Sequence, residues 1–144
     1  MLKSANQNVD KLRIDTLLDL TGHADPDDGP QILARVQVKT ADYTVLLSDS
    51  GTFFTTYGDT GAIIFTLPAV LKKGFFAYFI QSTDQDMTIT AGTVDTMITY
   101  NDLTADGIAT STANHQIGSL LMVLCDGNAY HGFNLGGHTL TVNT

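Results

Sequence analysis

The sequence predicts an all-β fold, a jelly-roll-like β-sandwich of about 8–10 short antiparallel strands preceded by an extended N-terminal arm. All fifteen acidic residues are Asp, which competes for nearby backbone hydrogen bonds and therefore favours turns over helices. About one residue in seven is Thr, and β-branched side chains fit a pleated sheet better than a helix. Short apolar segments also alternate with Gly, Asp and Ser at intervals of about ten residues, which is typical of strands joined by turns.

The N-terminal segment, residues 1–41, differs from the rest of the chain and is predicted to form an arm and a loop. Gly and Pro mark the loop at residues 21–30, and strict alternation toward the end of residues 32–39 predicts a half-exposed strand. The apolar residues of the arm follow neither a helical nor a strand period; they are Leu12, Ile14, Leu17, Leu18 and Leu20. Residues without a period cannot bury themselves, so these five are predicted to contact a neighbouring protein, and the alternative is that they pack on the open edge of their own domain.

Residues 42–144 are predicted to form the β-sandwich domain. The candidate strands are residues 43–48, 52–56, 62–67, 75–81, 87–91, 96–100, 108–112, 119–125, 128–133 and 138–142. Pro68 should end the third of them, because proline has no N–H to donate to a neighbouring strand. Asp126-Gly127, flanked by apolar runs, is the strongest local signal for a hairpin.

Two of the candidate strands are apolar on both faces. They are Phe75-Phe76-Ala77-Tyr78-Phe79-Ile80 and Leu120-Leu121-Met122-Val123-Leu124. A strand with one face in water alternates apolar and polar residues, so these two strands are expected to be covered on both sides. The second cover is either another layer of the same domain or a second subunit.

Charge and composition exclude several classes of partner. A net charge of −8 and a pI near 4.5 argue against nucleic acid, which is bound through a basic surface. No apolar segment is long enough to cross a membrane, and no signal peptide is visible, so synthesis in a cytoplasm is expected. Cys125 is the single cysteine and is predicted to be a small buried hydrophobe.

One short motif resembles an enzyme signature. Asp59-Thr60-Gly61-Ala62 is similar to the signature of retroviral-type aspartic proteases, in which two chains each contribute one Asp to a shared proton site. In that family the Asp directly follows a buried strand, whereas Asp59 follows Thr55-Thr56-Tyr57-Gly58. A Gly-Asp-Thr-Gly run before an apolar segment is typical of a turn. No enzyme activity and no catalytic residue are therefore predicted.

Neither a cofactor nor a metal site is predicted. The four histidines have no second ligand at a short metal-binding spacing. Residues 25–29 resemble the start of a calcium loop, but the twelfth position, where such a loop needs Glu, holds Val36.

Several short segments between Gln37 and Gly136 follow one another in the pattern and order of a known protein module. They are Lys39-Thr40-Ala41-Asp42-Tyr43-Thr44-Val45, Asp49-Ser50-Gly51-Thr52-Phe53, Phe65-Thr66-Leu67-Pro68, Gly74 with Tyr78-Phe79, Met87-Thr88-Ile89-Thr90 and Asp126-Gly127-Asn128-Ala129-Tyr130. Together they resemble a module of tailed-bacteriophage virion proteins, carried by capsid cement (decoration) proteins and by tail or head fibre domains. The Leu-Pro pair followed by Gly and an aromatic strand is the most distinctive part.

The resemblance implies a homotrimer that sits on the exterior of a capsid in the virion and clamps neighbouring capsomers. Its partners would be the major capsid protein and other copies of the chain, with no nucleic acid and no membrane. The five apolar residues of the arm would make the contact with the capsid or with an adjacent subunit. The alternative is a tail- or head-fibre module that binds a host receptor or a glycan. Fibre proteins usually carry the module within a longer chain, so the short sequence favours the cement protein.

Overall fold

The computed structural model describes residues 33–110, 117–136 and 140–144. The predicted contact residues Leu12, Ile14, Leu17, Leu18 and Leu20 lie outside the described residues. Residues Ala34–Thr144 form one compact unit. Every strand of the described residues belongs to this unit, which begins within the segment assigned above to the arm and loop.

The all-β prediction is confirmed, because the described residues form twelve strands and no α-helix. The strands are β1 (Arg35–Val38), β2 (Tyr43–Thr44), β3 (Thr52–Thr55), β4 (Ile63–Thr66), β5 (Phe76–Ile80), β6 (Met87–Thr90), β7 (Met97–Thr99), β8 (Asp102–Ala105), β9 (Gly107–Thr110), β10 (Leu120–Cys125), β11 (Tyr130–Asn134) and β12 (Leu140–Asn143). They form a seven-stranded sheet in the order β1-β3-β5-β10-β11-β7-β8 and a five-stranded sheet in the order β12-β9-β6-β4-β2.

The pairing is mixed, and the predicted antiparallel arrangement is wrong for β1 to β6 and for β7 and β11, which also pair in parallel. Strands β1 to β6 alternate between the two sheets, so two successive crossings bring the chain back to each sheet in its original direction. As a result β1, β3 and β5 pair in parallel in one sheet, and β2, β4 and β6 do so in the other. Antiparallel pairs join β5 to β10, β10 to β11, β7 to β8, β6 to β9 and β9 to β12.

Three phenylalanines form the centre of the core between the sheets. Phe54 of β3 and Phe79 of β5 come from the seven-stranded sheet, Phe65 of β4 comes from the five-stranded sheet, and all three are fully buried. The ring centroid of Phe65 lies 5.5 Å from that of Phe54 and 5.0 Å from that of Phe79. Aromatic pairs at such distances add about 0.5–1.5 kcal/mol each to the burial of their apolar area. This cluster fixes how the two sheets pack.

The predicted hairpin at Asp126-Gly127 is confirmed, since β10 and β11 are antiparallel and Cys125 pairs with Tyr130. Gly127 adopts a φ of 100°, a conformation that favours glycine. Cys125 is buried as predicted. The Tyr130 hydroxyl donates a hydrogen bond to the Pro68 carbonyl at 2.6 Å, and burial raises the pKa of Tyr130 to about 12.

Two elements differ from the sequence prediction. The strand expected over residues 43–48 ends at Thr44, because Leu47–Asp49 form a single 3-10 turn. Strand β8 was not predicted. It follows a tight turn in which Tyr100 and Asn101 adopt φ values of 43° and 65°. This left-handed conformation is uncommon for tyrosine, and because neither residue is Gly the sequence gives no signal for the turn.

Asp49 is a buried carboxylate that connects the edge strands of both sheets. Its Oδ1 accepts hydrogen bonds from Arg35 Nη2 at 3.0 Å and Gln37 Nε2 at 3.1 Å, both on β1. Its Oδ2 accepts from the Tyr43 hydroxyl of β2 at 2.9 Å and from the Leu46 N–H at 3.0 Å. One side chain therefore holds β1, β2 and the 3-10 turn together.

These contacts favour the ionised form of Asp49. Burial alone raises the pKa of a carboxyl group, but the hydrogen bonds from Leu46, Tyr43 and Gln37 and the charge of Arg35 hold the pKa of Asp49 below its ordinary value. Asp49 therefore stabilises the fold fully at a pH above the ordinary carboxyl pKa, and this contribution is lost as the pH falls through the lowered value.

Asp49→Asn should lower the free energy of unfolding at neutral pH by about 2–4 kcal/mol, because it removes a buried charge and turns an amide donor toward other donors. The difference from wild type should narrow as the pH is lowered, since wild type alone loses the carboxylate. Urea unfolding followed by far-UV circular dichroism at several pH values measures both effects. Asp84→Asn, at an exposed loop position, is the matched control and should change stability by less than about 0.5 kcal/mol. A difference that is independent of pH would contradict the role of the carboxylate.

Gly92→Ala should destabilise the fold by about 1–3 kcal/mol, the usual cost of overpacking. A Cβ at Gly92 would overlap the Leu67 carbonyl oxygen and lie 2.5 Å from the Ala69 nitrogen, so the loop after β6 would have to move away from the end of β4. Gly61→Ala is the control, because a Cβ at Gly61 meets no atom within 4 Å. Thermal unfolding of both variants checks this, and equal melting temperatures would contradict it.

Candidate interaction surface

The outward side of the seven-stranded sheet carries many apolar side chains that lie outside the core. Side chains alternate between the two faces of a strand, so a strand that is apolar throughout places half of its apolar residues outside. On β5, Ala77 and Phe79 point into the core, whereas Phe76, Tyr78 and Ile80 are half-buried on the other side. The alternation on β10 is the same.

The register of the sheet aligns one apolar residue from each of five neighbouring strands in a single row. Reading from β1 across β3, β5 and β10 to β11, the row is Val36, Phe53, Tyr78, Met122 and Phe133. Directly opposed residues lie about 4.5–5.5 Å apart, so neighbouring side chains of the row are in reach of one another.

A further row flanks this central row on each side. One consists of Val38, Thr55, Ile80 and Leu120, and the other of Phe76, Leu124, His131 and Ile98. The three rows together are called the outer apolar face below. None of their residues is Lys, Arg or Asp.

Aromatic contacts order the middle of the outer apolar face. The rings of Phe53 and Tyr78 are stacked with centroids 4.3 Å apart and planes inclined by 10°. Phe76 meets Tyr78 edge to face at 6.0 Å. Toward the two ends of the central row the side chains are more exposed, with 58% for Val36 and 43% for Phe133. The face is therefore an ordered apolar surface rather than a set of scattered side chains.

The outward side of the five-stranded sheet has a different composition. One of its rows is Thr44, Thr66, Thr90, Gly107 and Asn143, and the next is Ile64, Thr88, Ala109 and Thr141. These residues are called the threonine face below. Threonine combines a good fit to a pleated strand with a hydroxyl that water can solvate. The outward side of the five-stranded sheet is therefore more polar than the outward side of the seven-stranded sheet.

The carboxylates of the described residues lie outside the rows of both faces. Asp42, Asp59, Asp84, Asp86, Asp95, Asp106 and Asp126 are in loops and turns, Asp49 is in the 3-10 turn, and Asp102 begins β8. The rows of the outer apolar face therefore contain no carboxylate, and Asp126 meets the face only through His131.

A shallow depression lies at the β7 end of the outer apolar face. Ile98, Tyr100, His131, Phe133 and Leu135 contribute to its lining. His131 Nε2 lies 3.1 Å from Asp126 Oδ2.

Asp126, beside this depression, is held by the hairpin. Its Oδ1 accepts hydrogen bonds from the N–H groups of Ala129 and Asn128 at 2.9 and 2.7 Å. These two bonds and the one from His131 lower the pKa of Asp126 well below its ordinary range. The carboxylate is thus an ionised structural acceptor of the turn.

The residues of the protease-like motif form a loop between β3 and β4. The Asp59 carboxylate accepts a hydrogen bond from the Thr83 hydroxyl, and the Asp59 N–H donates to the Thr56 carbonyl at 3.1 Å. Asp59 is thereby bound into contacts between two loops. Within the described ranges, no group of three or more His, Cys or Asp residues is placed to hold a metal ion, and no helix is long and apolar enough to cross a membrane.

Sequence reasoning identified part of the outer apolar face and missed the rest. The uniformly apolar β5 and β10 pointed to a second covered side, and their six outward residues are in the face. Val36, Phe53 and Phe133 were not singled out, because each lies in a strand whose other residues give no such signal. Only the register places them in line with Tyr78 and Met122.

Comparison with models of known protein families finds none that matches the chain, and comparison with curated proteins finds no relative.

Proposed function

We propose that this protein is a structural virion protein that binds the exterior of a bacteriophage capsid as a homotrimer and stabilises it by clamping neighbouring capsomers. The observation that carries the proposal is the contrast between the outer apolar face and the threonine face. Aromatic side chains such as Phe53 and Tyr78 on the outward side of a sheet favour a partner that covers them. The resemblance to phage virion modules supplies the capsid as the setting.

The mechanism requires many modest contacts rather than one strong site. Burial of a few hundred square ångströms of apolar area contributes several kcal/mol at about 25 cal/mol per Å². Three copies joined in one trimer bind adjacent capsomers together, so dissociation requires all contacts to break at once. In this proposal the N-terminal residues Leu12, Ile14, Leu17, Leu18 and Leu20 contact the major capsid protein or an adjacent subunit.

A second candidate is a fibre module that binds a receptor glycan. The depression at the β7 end of the outer apolar face favours it, because Tyr100 is 60% exposed and lies near Phe133. Sugar rings stack on exposed aromatic faces, and polar neighbours orient their hydroxyl groups.

If the proposal is right, particles of the phage that encodes the chain should contain it in the head, in a copy number that is a multiple of three. Particles from a deletion mutant should lose their genome at lower temperature or lower salt, and added purified protein should restore the resistance. Quantitative mass spectrometry of separated heads and tails, together with a heat-release assay, measures both. Finding the chain only in tail or fibre fractions would favour the second candidate, and finding it in neither would remove both.

Deletion of residues 1–19 should abolish binding to these deletion-mutant capsids and leave the β domain folded. The deletion removes four of the five predicted contact residues, and replacement of all five by Ser in the full-length chain is the matched variant. Co-sedimentation with capsids measures binding, and far-UV circular dichroism checks the fold. Unchanged binding of both variants would show that the capsid contact lies elsewhere.

A further inference from the structure

We propose that the outer apolar face is the surface through which copies of this chain contact one another. The inference deepens the proposed function, from which it takes the homotrimer, and it names the subunit interface. The occupant is a second copy of the chain, and three arguments support this choice.

The first argument is charge. The chain carries a net charge of −8 at pH 7, so two copies repel each other wherever their acidic loops approach. A contact through a surface without Lys, Arg or Asp avoids that repulsion and leaves no carboxylate buried without a partner. Among the described residues, no aspartate lies in the three rows of the face. Asp49 and Asp59 are already buried with hydrogen-bond partners, and Asp126 meets the face only through His131.

The second argument is composition. Interfaces between identical subunits are more apolar than those between transient partners, and their centres are enriched in aromatic residues and Met and depleted in charge. The central row of the outer apolar face fits this description, with Phe53, Tyr78, Met122 and Phe133 side by side. A basic or acidic partner would instead be recognised through charged side chains, which this face lacks.

The third argument is area. The three rows hold thirteen residues, which at about 4.8 Å between strands and about 6.8 Å between rows cover roughly 420 Å² in projection. The largest apolar patch on an ordinary monomer is about 300–600 Å², whereas a stable interface buries about 800 Å² on each partner, so the three rows form the centre of the proposed interface and not all of it. The exposed side chains of Tyr100 and Leu135, which line the adjoining depression, extend the face toward the larger value.

In a threefold assembly each copy meets its two neighbours through different parts of its surface. One face serves both contacts when its middle lies near the rotation axis. Three sheets can surround a threefold axis, so that each meets its two neighbours. Strand β5 is the middle of the five strands that form the central row, and Tyr78 is its residue in that row. Tyr78 and its neighbour Met122 are therefore expected to approach their counterparts in the other copies.

The test is the mass of the full-length protein in solution by sedimentation velocity over a wide range of concentration. Wild type should sediment at three times the 15.4 kDa of the chain. Tyr78→Glu should raise the dissociation constant at least about thirtyfold, the effect of losing an interface hot spot. Thr88→Glu, at the corresponding position on a central strand of the threonine face, should leave the mass unchanged.

Two further variants keep the test decisive if Tyr78→Glu fails to fold. Phe133→Asp places a charge at the exposed end of the central row and should also dissociate the assembly while circular dichroism remains native. Met122→Cys should form a disulfide between copies on mild oxidation, whereas Thr88→Cys should not.

The outcomes separate the inference from the proposed function. A wild-type protein that is monomeric at every concentration overturns both the inference and the homotrimer of the proposed function. An oligomer whose mass is unaffected by both Tyr78→Glu and Phe133→Asp also overturns it, because the contact then lies elsewhere. An oligomer that dissociates in both variants, made by a protein that binds no particle, supports the inference and refutes the capsid function.

Discussion

The strict alternation of side chains along a β-strand is the constraint on which the rest of this structure depends. Each sheet of the sandwich has one side in the core, so every second residue must point outward whatever its chemistry. In β6 the outward positions are Thr88 and Thr90, which water solvates. In β5 and β10 they are aromatic or aliphatic, and the same packing that buries Phe79 and Leu121 leaves Tyr78 and Met122 on the opposite side.

Polar contacts fix the edge at which this apolar surface begins. Strand β1 supplies Val36 and Val38 to the outer apolar face, and its inward residues Arg35 and Gln37 both bind the buried carboxylate of Asp49. That carboxylate also binds Tyr43 of the other sheet. A charged group in the interior therefore orients an edge strand whose outward side is apolar, which explains how a short exposed strand keeps its register.

The alternation and turn signals of the sequence predicted most strands and the β10–β11 hairpin, because both are local properties. They also identified β5 and β10 as strands with two apolar sides. They did not predict β8, whose turn uses Tyr100 and Asn101 in a left-handed conformation without a Gly. They gave the wrong direction for β1 to β6, because the spacing between strands is the same whether the chain turns back in one sheet or crosses to the other.

The sequence by itself thus determined the fold class, the positions of most strands and the excess of apolar residues in two of them. Only the tertiary structure decided which of those residues are buried and which face outward, and that Val36, Phe53 and Phe133 lie in one row with them. The physical reason is that register and sheet order are set by contacts between distant segments, here by the packing of Phe54, Phe65 and Phe79 between the sheets. A strand's own residues fix its period, and its neighbours fix its partners.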